Sequence, residues 1–245
     1  MSEIIKTTLL GLFFGTFGTT IGGIIGANFN LKSPRFLSFI LQFSAGLMLA
    51  IICFELMPEA LQISNLYFVI FGAIIGVIVM IICDNIVKDI YKRKNKYKNN
   101  SLLKTGIIVG IGLAIHNFPE GLAIGSGFEA SIKLGYALAI AILLHDIPEG
   151  LSMSVPMKSG GMNKTKVIIL TLISGVTTGI GTFFGALVSG ISADVIAICL
   201  ALAAGAMLYI VSGELIPESN KIYRGRIGAI GNIIGFLIGI LSMTV

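Results

Sequence analysis

Eight stretches of about twenty predominantly apolar residues follow one another along this chain, at roughly 7–27, 36–56, 65–83, 105–125, 134–154, 166–188, 194–214 and 227–244. Each is long enough to cross a bilayer as a helix, because the hydrocarbon core is about 30 Å thick and a helix rises about 1.5 Å per residue. Only 12% of the 245 residues are charged and 55% are hydrophobic, whereas soluble domains carry about 25% charge. A β-barrel would need alternating strands of about ten residues, and these runs are continuous and about twice that length. The expected fold is therefore all-α: a polytopic membrane protein of eight transmembrane helices forming one domain.

The connections are short except for "DNIVKDIYKRKNKYKNNSLLK", a polar, lysine-rich loop at about 84–104. Counting loops from the N-terminus, 15 of the 17 Lys and Arg lie in the odd ones; only Lys6 and Lys133 fall on the other side. Basic loops stay in the cytoplasm, so both termini are expected outside and the lysine-rich loop inside, in a plasma membrane. The net charge of +5 then follows from topology and contact with membrane lipids, and a nucleic-acid partner is not required. The first run, after "MSEIIK", has no strongly basic flank and reads as a retained span rather than a signal peptide. Cys53, Cys83 and Cys199 show no metal-binding spacing and read as small buried hydrophobes.

The chain also repeats itself. Thr19, Ile21, Gly22, Gly26 and Ala27 recur 159 residues on as Thr178, Ile180, Gly181, Gly185 and Ala186. At the same offset "AGLMLAIICFELMPE" from Ala45 becomes "AGAMLYIVSGELIPE" from Ala204, and "GAIIG" from Gly72 becomes "GNIIG" from Gly231. The repeats begin five spans apart, so each helix would cross in the opposite direction to its copy. The expectation is a 3+2+3 inverted repeat: repeat one at about 7–83, a central pair at about 105–154 and repeat two at about 166–244. Many secondary transporters are built this way, with sites near the midplane.

The central pair carries the chemistry. "HNFPEG" at His116 returns as "HDIPEG" at His145, and these are the only two histidines. In each motif His and Glu are four apart, hence on one helical face. Three acids, Glu120, Asp146 and Glu149, at mid-bilayer would cost on the order of 8–10 kcal/mol on the insertion scale. They persist there only facing a polar cavity, protons or a cation. Pro119 and Pro148 lack the amide hydrogens that would bond the carbonyls of Ile115 and Leu144. Gly121 and Gly150 allow close helix approach. Imidazole with carboxylate suits Zn²⁺, Fe²⁺, Mn²⁺ or Co²⁺ better than Mg²⁺ or Ca²⁺. The ion is cargo on this reading, and no resident cofactor is expected.

The double motif in consecutive spans resembles the ZIP (Zrt-, Irt-like protein) family of divalent-metal transporters. The compact length and the "ELIPE" of the seventh span are most similar to its prokaryotic GufA/ZupT-like branch. The resemblance implies uptake of zinc, with cadmium, iron and manganese as further substrates, and a binuclear-like centre. His116, Glu120, His145 and Glu149 would face one metal, and Asn117 and Asp146 its neighbour. Met48 matches a position that lends a thioether in some members, and packing alone is an equal account of it. Relatives often carry an acid in the sixth span where this chain has Thr177 and Thr178, which weakens the second metal position. The lysine-rich loop also lacks the histidines often found there.

The repeated ExxPE motif suggests a route, with Glu55 and Glu59 near the outer face and Glu214 and Glu218 near the inner one. Alternatively, these four are interface carboxylates at helix ends, with Pro58 and Pro217 terminating the spans. A rival function, a membrane-embedded zinc-dependent hydrolase, would want HExxH and a general base; the chain has no HExxH. The glycine-rich spans are compatible with packing inside a monomer or within a homodimer.

Overall fold

The structure, a computed structural model, describes residues 2–28, 33–93, 101–189 and 191–243. Within them the chain forms eight helical rods. These are α1 (Ser2–Asn28), α2 (Pro34–Ile63), α3 (Leu66–Arg93), α4 (Ser101–Ala130), α5 (Ile132–Ser159), α6 (Lys164–Ser189), α7 (Ala193–Ile222) and α8 (Arg226–Met243). Serines begin three of them: the hydroxyls of Ser33, Ser131 and Ser192 accept from the amides of Phe36, Leu134 and Val195, satisfying donors that a helix start leaves open. Six of the rods, α1, α2, α3, α5, α6 and α7, are long and apolar enough to cross a membrane. The protein is a multi-pass, all-helical membrane protein.

Burial runs opposite to a soluble fold. Phe13, Ile74, Ile173 and Leu237 are all more than half exposed, whereas Thr19, Asn117, Glu120, His145, Asp146 and Thr178 are fully buried. Apolar side chains therefore face outward, and polar ones converge on the middle. Of the six long apolar rods, α5 is the most enclosed, with 78% of its most apolar stretch buried against 22% for α3. Around it, α4 and α5 pack on each other; α1 packs on α5 and α6, and α4 on α6; α2 packs on α8, and α3 on α7. Glycines set these seams. A Cβ at Gly121 or Gly181 would fall on backbone across the α4–α6 seam, and one at Gly22 or Gly150 on backbone across the α1–α5 seam.

Two expectations are corrected. The polar loop is shorter than 84–104, because α3 continues to Arg93 and α4 begins at Ser101. No Gly or Pro lies between Asp84 and Arg93 to stop the helix. The side chains of Lys88, Lys92, Arg93, Lys94, Lys96, Lys98 and Lys104 lie outside the described residues. Nor do Pro58 and Pro217 end their helices: α2 runs on to Ile63 and α7 to Ile222. Each proline is instead preceded by a π-helical turn, Ile52–Leu56 in α2 and Val211–Leu215 in α7. The wider turn re-pairs backbone over five residues, Met57 N–H to the Ile52 carbonyl and Ile216 N–H to that of Val211. It absorbs the bond that a proline cannot make.

Candidate metal centre

Four side chains meet at the packed middle of the bundle. Glu120 of α4 and His145, Asp146 and Glu149 of α5 each offer a ligand atom, and these atoms all lie within 4.8 Å of one another. All four are buried, with at most 1% exposure. His145 Nε2 stands 2.5 Å from Glu120 Oε1 and 3.8 Å from Asp146 Oδ1. His145 Nδ1 lies 3.2 Å from the Ala141 carbonyl. A carbonyl can only accept, so we assign the proton to Nδ1, and Nε2 is turned toward the carboxylates. This is how metal-binding histidines are commonly oriented, through the nitrogen that does not ligate. From α2, the Ser44 hydroxyl donates to the His145 carbonyl at 3.3 Å and ties α5 down at the site.

The α4 half is anchored differently. Asn117 is fully buried, and its Nδ2 donates to the Ser174 carbonyl of α6 at 3.0 Å. Its Oδ1 has no hydrogen-bond partner among the described residues, so the amide presents a fixed oxygen. His116 sits on α4 four residues before Glu120, but its side chain lies outside the described residues. Thr177 gives its hydroxyl to backbone, within 2.7 Å of the carbonyls of Ala114 and Ser174. Thr178 packs where a Cβ on Gly15 of α1 would stand. Three carboxylates, an imidazole and an amide oxygen form a mixed N/O donor set, which suits a borderline divalent transition ion.

Of the other residues expected at the site, Met48 is fully buried in the main apolar core, as is Met207. Glu55 and Glu214 sit within the two π turns, and both are half-buried. The carboxylate of Glu214 reaches α4, with Oε2 3.3 Å from where a Cβ on Gly112 would be, one helical turn before His116. Glu55 Oε2 is buried with no hydrogen-bond partner among the described residues. Glu59 stands in the turn after the first π segment. Glu218 is held by Lys221 Nζ at 3.1 Å, nearer the surface. Sequence reasoning missed Gly18, against which Asp146 packs: a Cβ there would lie 2.6 Å from Asp146 Cβ and 2.8 Å from the Leu143 carbonyl oxygen. It also missed Ser174 as the anchor of Asn117. The 159-residue offset held the signal for the first, since Gly18 aligns with Thr177.

Comparison with known proteins agrees with this geometry. The sequence pattern of the ZIP zinc transporter family matches residues 99–245. The zinc transporter ZupT of Clostridium perfringens is 30% identical, the match covering 99% of this chain and 96% of the relative. That of Campylobacter jejuni is 32% identical over 98% and 96%, and that of Corynebacterium aurimucosum 31% over 92% and 91%. A family of transporters does not favour the hydrolase reading. With similarity along almost its whole length and the double His/Glu motif on adjoining helices, this chain belongs to the ZIP family, in its prokaryotic ZupT-like branch.

Proposed function

We propose that this protein carries divalent transition-metal ions, Zn²⁺ foremost, from outside the cell into the cytoplasm. The observation that carries this reading is the buried quartet Glu120, His145, Asp146 and Glu149 on the adjoining helices α4 and α5. An ion entering it exchanges hydration for imidazole and carboxylate, which offsets the cost of burying those acids. His116 and Asn117 complete the donor set from α4, and Met48 is a candidate thioether donor. With Thr177 bonded to backbone, the second metal position rests on Asn117 and Asp146 without an acid from α6.

The route is Glu55 and Glu59 outside, the central quartet, then Glu214 and Glu218 inside. This follows from both termini being extracytoplasmic in the plasma membrane, as the basic loops indicate. Helix pairings support an inverted 3+2+3 architecture. The α1–α5 seam has its counterpart in α6–α4, and α2–α8 in α7–α3, and the two π turns fall at equivalent positions. In such folds one bundle rocks against the other around a fixed site. Here α1, α4, α5 and α6 form the site-bearing bundle, and α2, α3, α7 and α8 the frame.

The test is uptake into proteoliposomes of Zn²⁺, Cd²⁺, Fe²⁺ and Mn²⁺. Wild type is expected to take up Zn²⁺, and His145→Ala or Glu120→Gln to lose uptake while still extracting as folded protein. Undiminished flux of every metal in both variants would end the central-site reading.

A further inference from the structure

A second binding site lies away from the metal route, at the end of the α2–α8 seam. There Phe36, Phe39, Tyr223 and Ile227 line a groove of about 590 Å³, with Arg35 and Arg226 on its rim. Both arginines are exposed. The Arg35 guanidinium lies 5.4 Å from the centre of the Tyr223 ring, which holds its charge over the groove. The groove floor continues along α8: Ile227, Ile230 and Ile234 share one helical face, and Ile230 and Ile234 are 47% and 38% exposed on the lipid-facing side. Two cations, one of them placed by an aromatic ring, thus stand beside an apolar trough.

The repeat supplies a control for this feature. At the 159-residue offset Arg35 corresponds to Asp194, Arg226 to Tyr67 and Tyr223 to Ser64. At that other seam, between α7 and α3, Ser64 donates its hydroxyl to Asp194 at 2.5 Å. The apolar floor corresponds as well, Phe36 to Val195, Phe39 to Ile198 and Ile227 to Phe68. So the two seams carry apolar residues at matching positions but differ in charge beside them. The cations are not a by-product of packing two helices at this angle. Under the orientation proposed above, on which this inference rests for its leaflet, the basic mouth faces the cytoplasmic leaflet, where anionic lipids collect.

We propose that the groove between α2 and α8 binds one anionic phospholipid, its phosphate held by Arg35 and Arg226 and an acyl chain laid along Phe36, Phe39 and Ile227. An arginine fork matches a phosphate bidentately, and the trough gives the chain a seat next to bulk lipid. A bound lipid would bridge α2 and α8, two helices of the proposed frame.

Native mass spectrometry of the detergent-purified protein tests this without reference to orientation or metal transport. Wild type should retain phosphatidylglycerol in preference to phosphatidylcholine, and equimolar inorganic phosphate should not displace it. Arg35→Gln and Arg226→Gln should each weaken retention about fivefold, and the double variant about 25-fold, while Arg224→Gln, outside the groove, leaves it unchanged. Ile227→Trp fills the trough without touching charge and should also weaken retention, covering the case in which the arginine variants fold poorly. Equal retention of both lipids, displacement by phosphate, or wild-type retention in the double variant and in Ile227→Trp would overturn the proposal. None of these outcomes bears on whether Glu120 and His145 carry metal.

Discussion

Replacing Gly18 by alanine should damage metal binding although Gly18 offers no ligand. The added Cβ would stand 2.6 Å from Asp146 Cβ and 2.8 Å from the Leu143 carbonyl oxygen, where ordinary contact begins near 3.4 Å. The shortfalls are 3.4 less 2.6 and 3.4 less 2.8, or about 0.8 and 0.6 Å. One obstacle is backbone and the other is the first atom of the Asp146 side chain, so neither can swing aside. Either α1 withdraws from α5 by most of an ångström or Asp146 is pushed toward His145. Metal ligands tolerate errors of about 0.2 Å, and disturbing the groups that orient them costs about 10–100-fold in affinity. Overpacking itself destabilises by about 1–3 kcal/mol, an effect to be separated from the first. The assay is therefore Zn²⁺-dependent thermal stabilisation of purified protein, with the zero-metal melting temperature as reference. Gly18→Ala should melt somewhat lower and need about 10–100 times more Zn²⁺ for half of its shift. Gly213→Ala, whose Cβ would have 3.6 Å to its nearest neighbour, should match wild type in both. A Gly18→Ala protein with wild-type Zn²⁺ dependence would refute the claim that the α1–α5 seam positions Asp146.

Two further outcomes follow from the route and the anchor. Glu214→Gln removes the carboxylate that reaches α4 beside Gly112; it should slow release into proteoliposomes while leaving Zn²⁺ affinity near wild type, and single-turnover flux separates the two. Asn117→Asp turns an amide donor into an acceptor against the Ser174 carbonyl; losing that bond and setting like partial charges together should cost about 1–3 kcal/mol without metal, read as a lowered melting temperature that added Zn²⁺ partly restores.

What could be read directly from the sequence was what periodicity and repetition encode. Eight helices follow from run length, six of them long and apolar enough to cross a membrane, and the pairing of His with Glu follows from four-residue spacing on a helix. That Glu120 would stand near His145 and Glu149 was legible because two such motifs lie on consecutive helices, whereas Asp146, expected beside Asn117 at a neighbouring position, falls within the same group. The π turns were not legible, because a proline in an apolar run reads equally as a stop or as a kink. Only the register of Met57 N–H on the Ile52 carbonyl distinguishes them. Gly18 and Ser174 were hidden for a different reason: one contributes by lacking a side chain and the other through its main chain. Neither leaves a chemical signature in composition or spacing. The length of the polar loop was misjudged because hydropathy marks where the bilayer ends, not where a helix does.

The repeat also explains why the two halves of the site are not interchangeable. Offset by 29 residues, Asn117 of α4 corresponds to Asp146 of α5; offset by 159, Thr177 corresponds to Gly18, Ser174 to Gly15 and Thr178 to Thr19. In the α4–α6 half, Asn117 donates to the Ser174 carbonyl, and the Thr178 hydroxyl has no partner among the described residues. In the α5–α1 half a carboxylate cannot donate, and the equivalent carbonyl, that of Gly15, is taken by the Thr19 hydroxyl at 2.8 Å. The next position differs in step. Thr177 gives its hydroxyl to the Ala114 carbonyl, whereas Gly18 faces the equivalent carbonyl of Leu143 with no side chain, leaving room for Asp146. Amide with threonine on one side is matched by hydrogen bonds, and carboxylate with glycine on the other is matched by space. Exchanging one member alone leaves a buried group mispaired. The negative charge of the site is thereby weighted toward α5, which supplies three of the four grouped ligands, while α4 contributes Glu120 and the fixed oxygen of Asn117. If the proposed bundle motion carries α4 and α5 together, that uneven set travels as a unit, and the symmetric frame around it determines which face it meets.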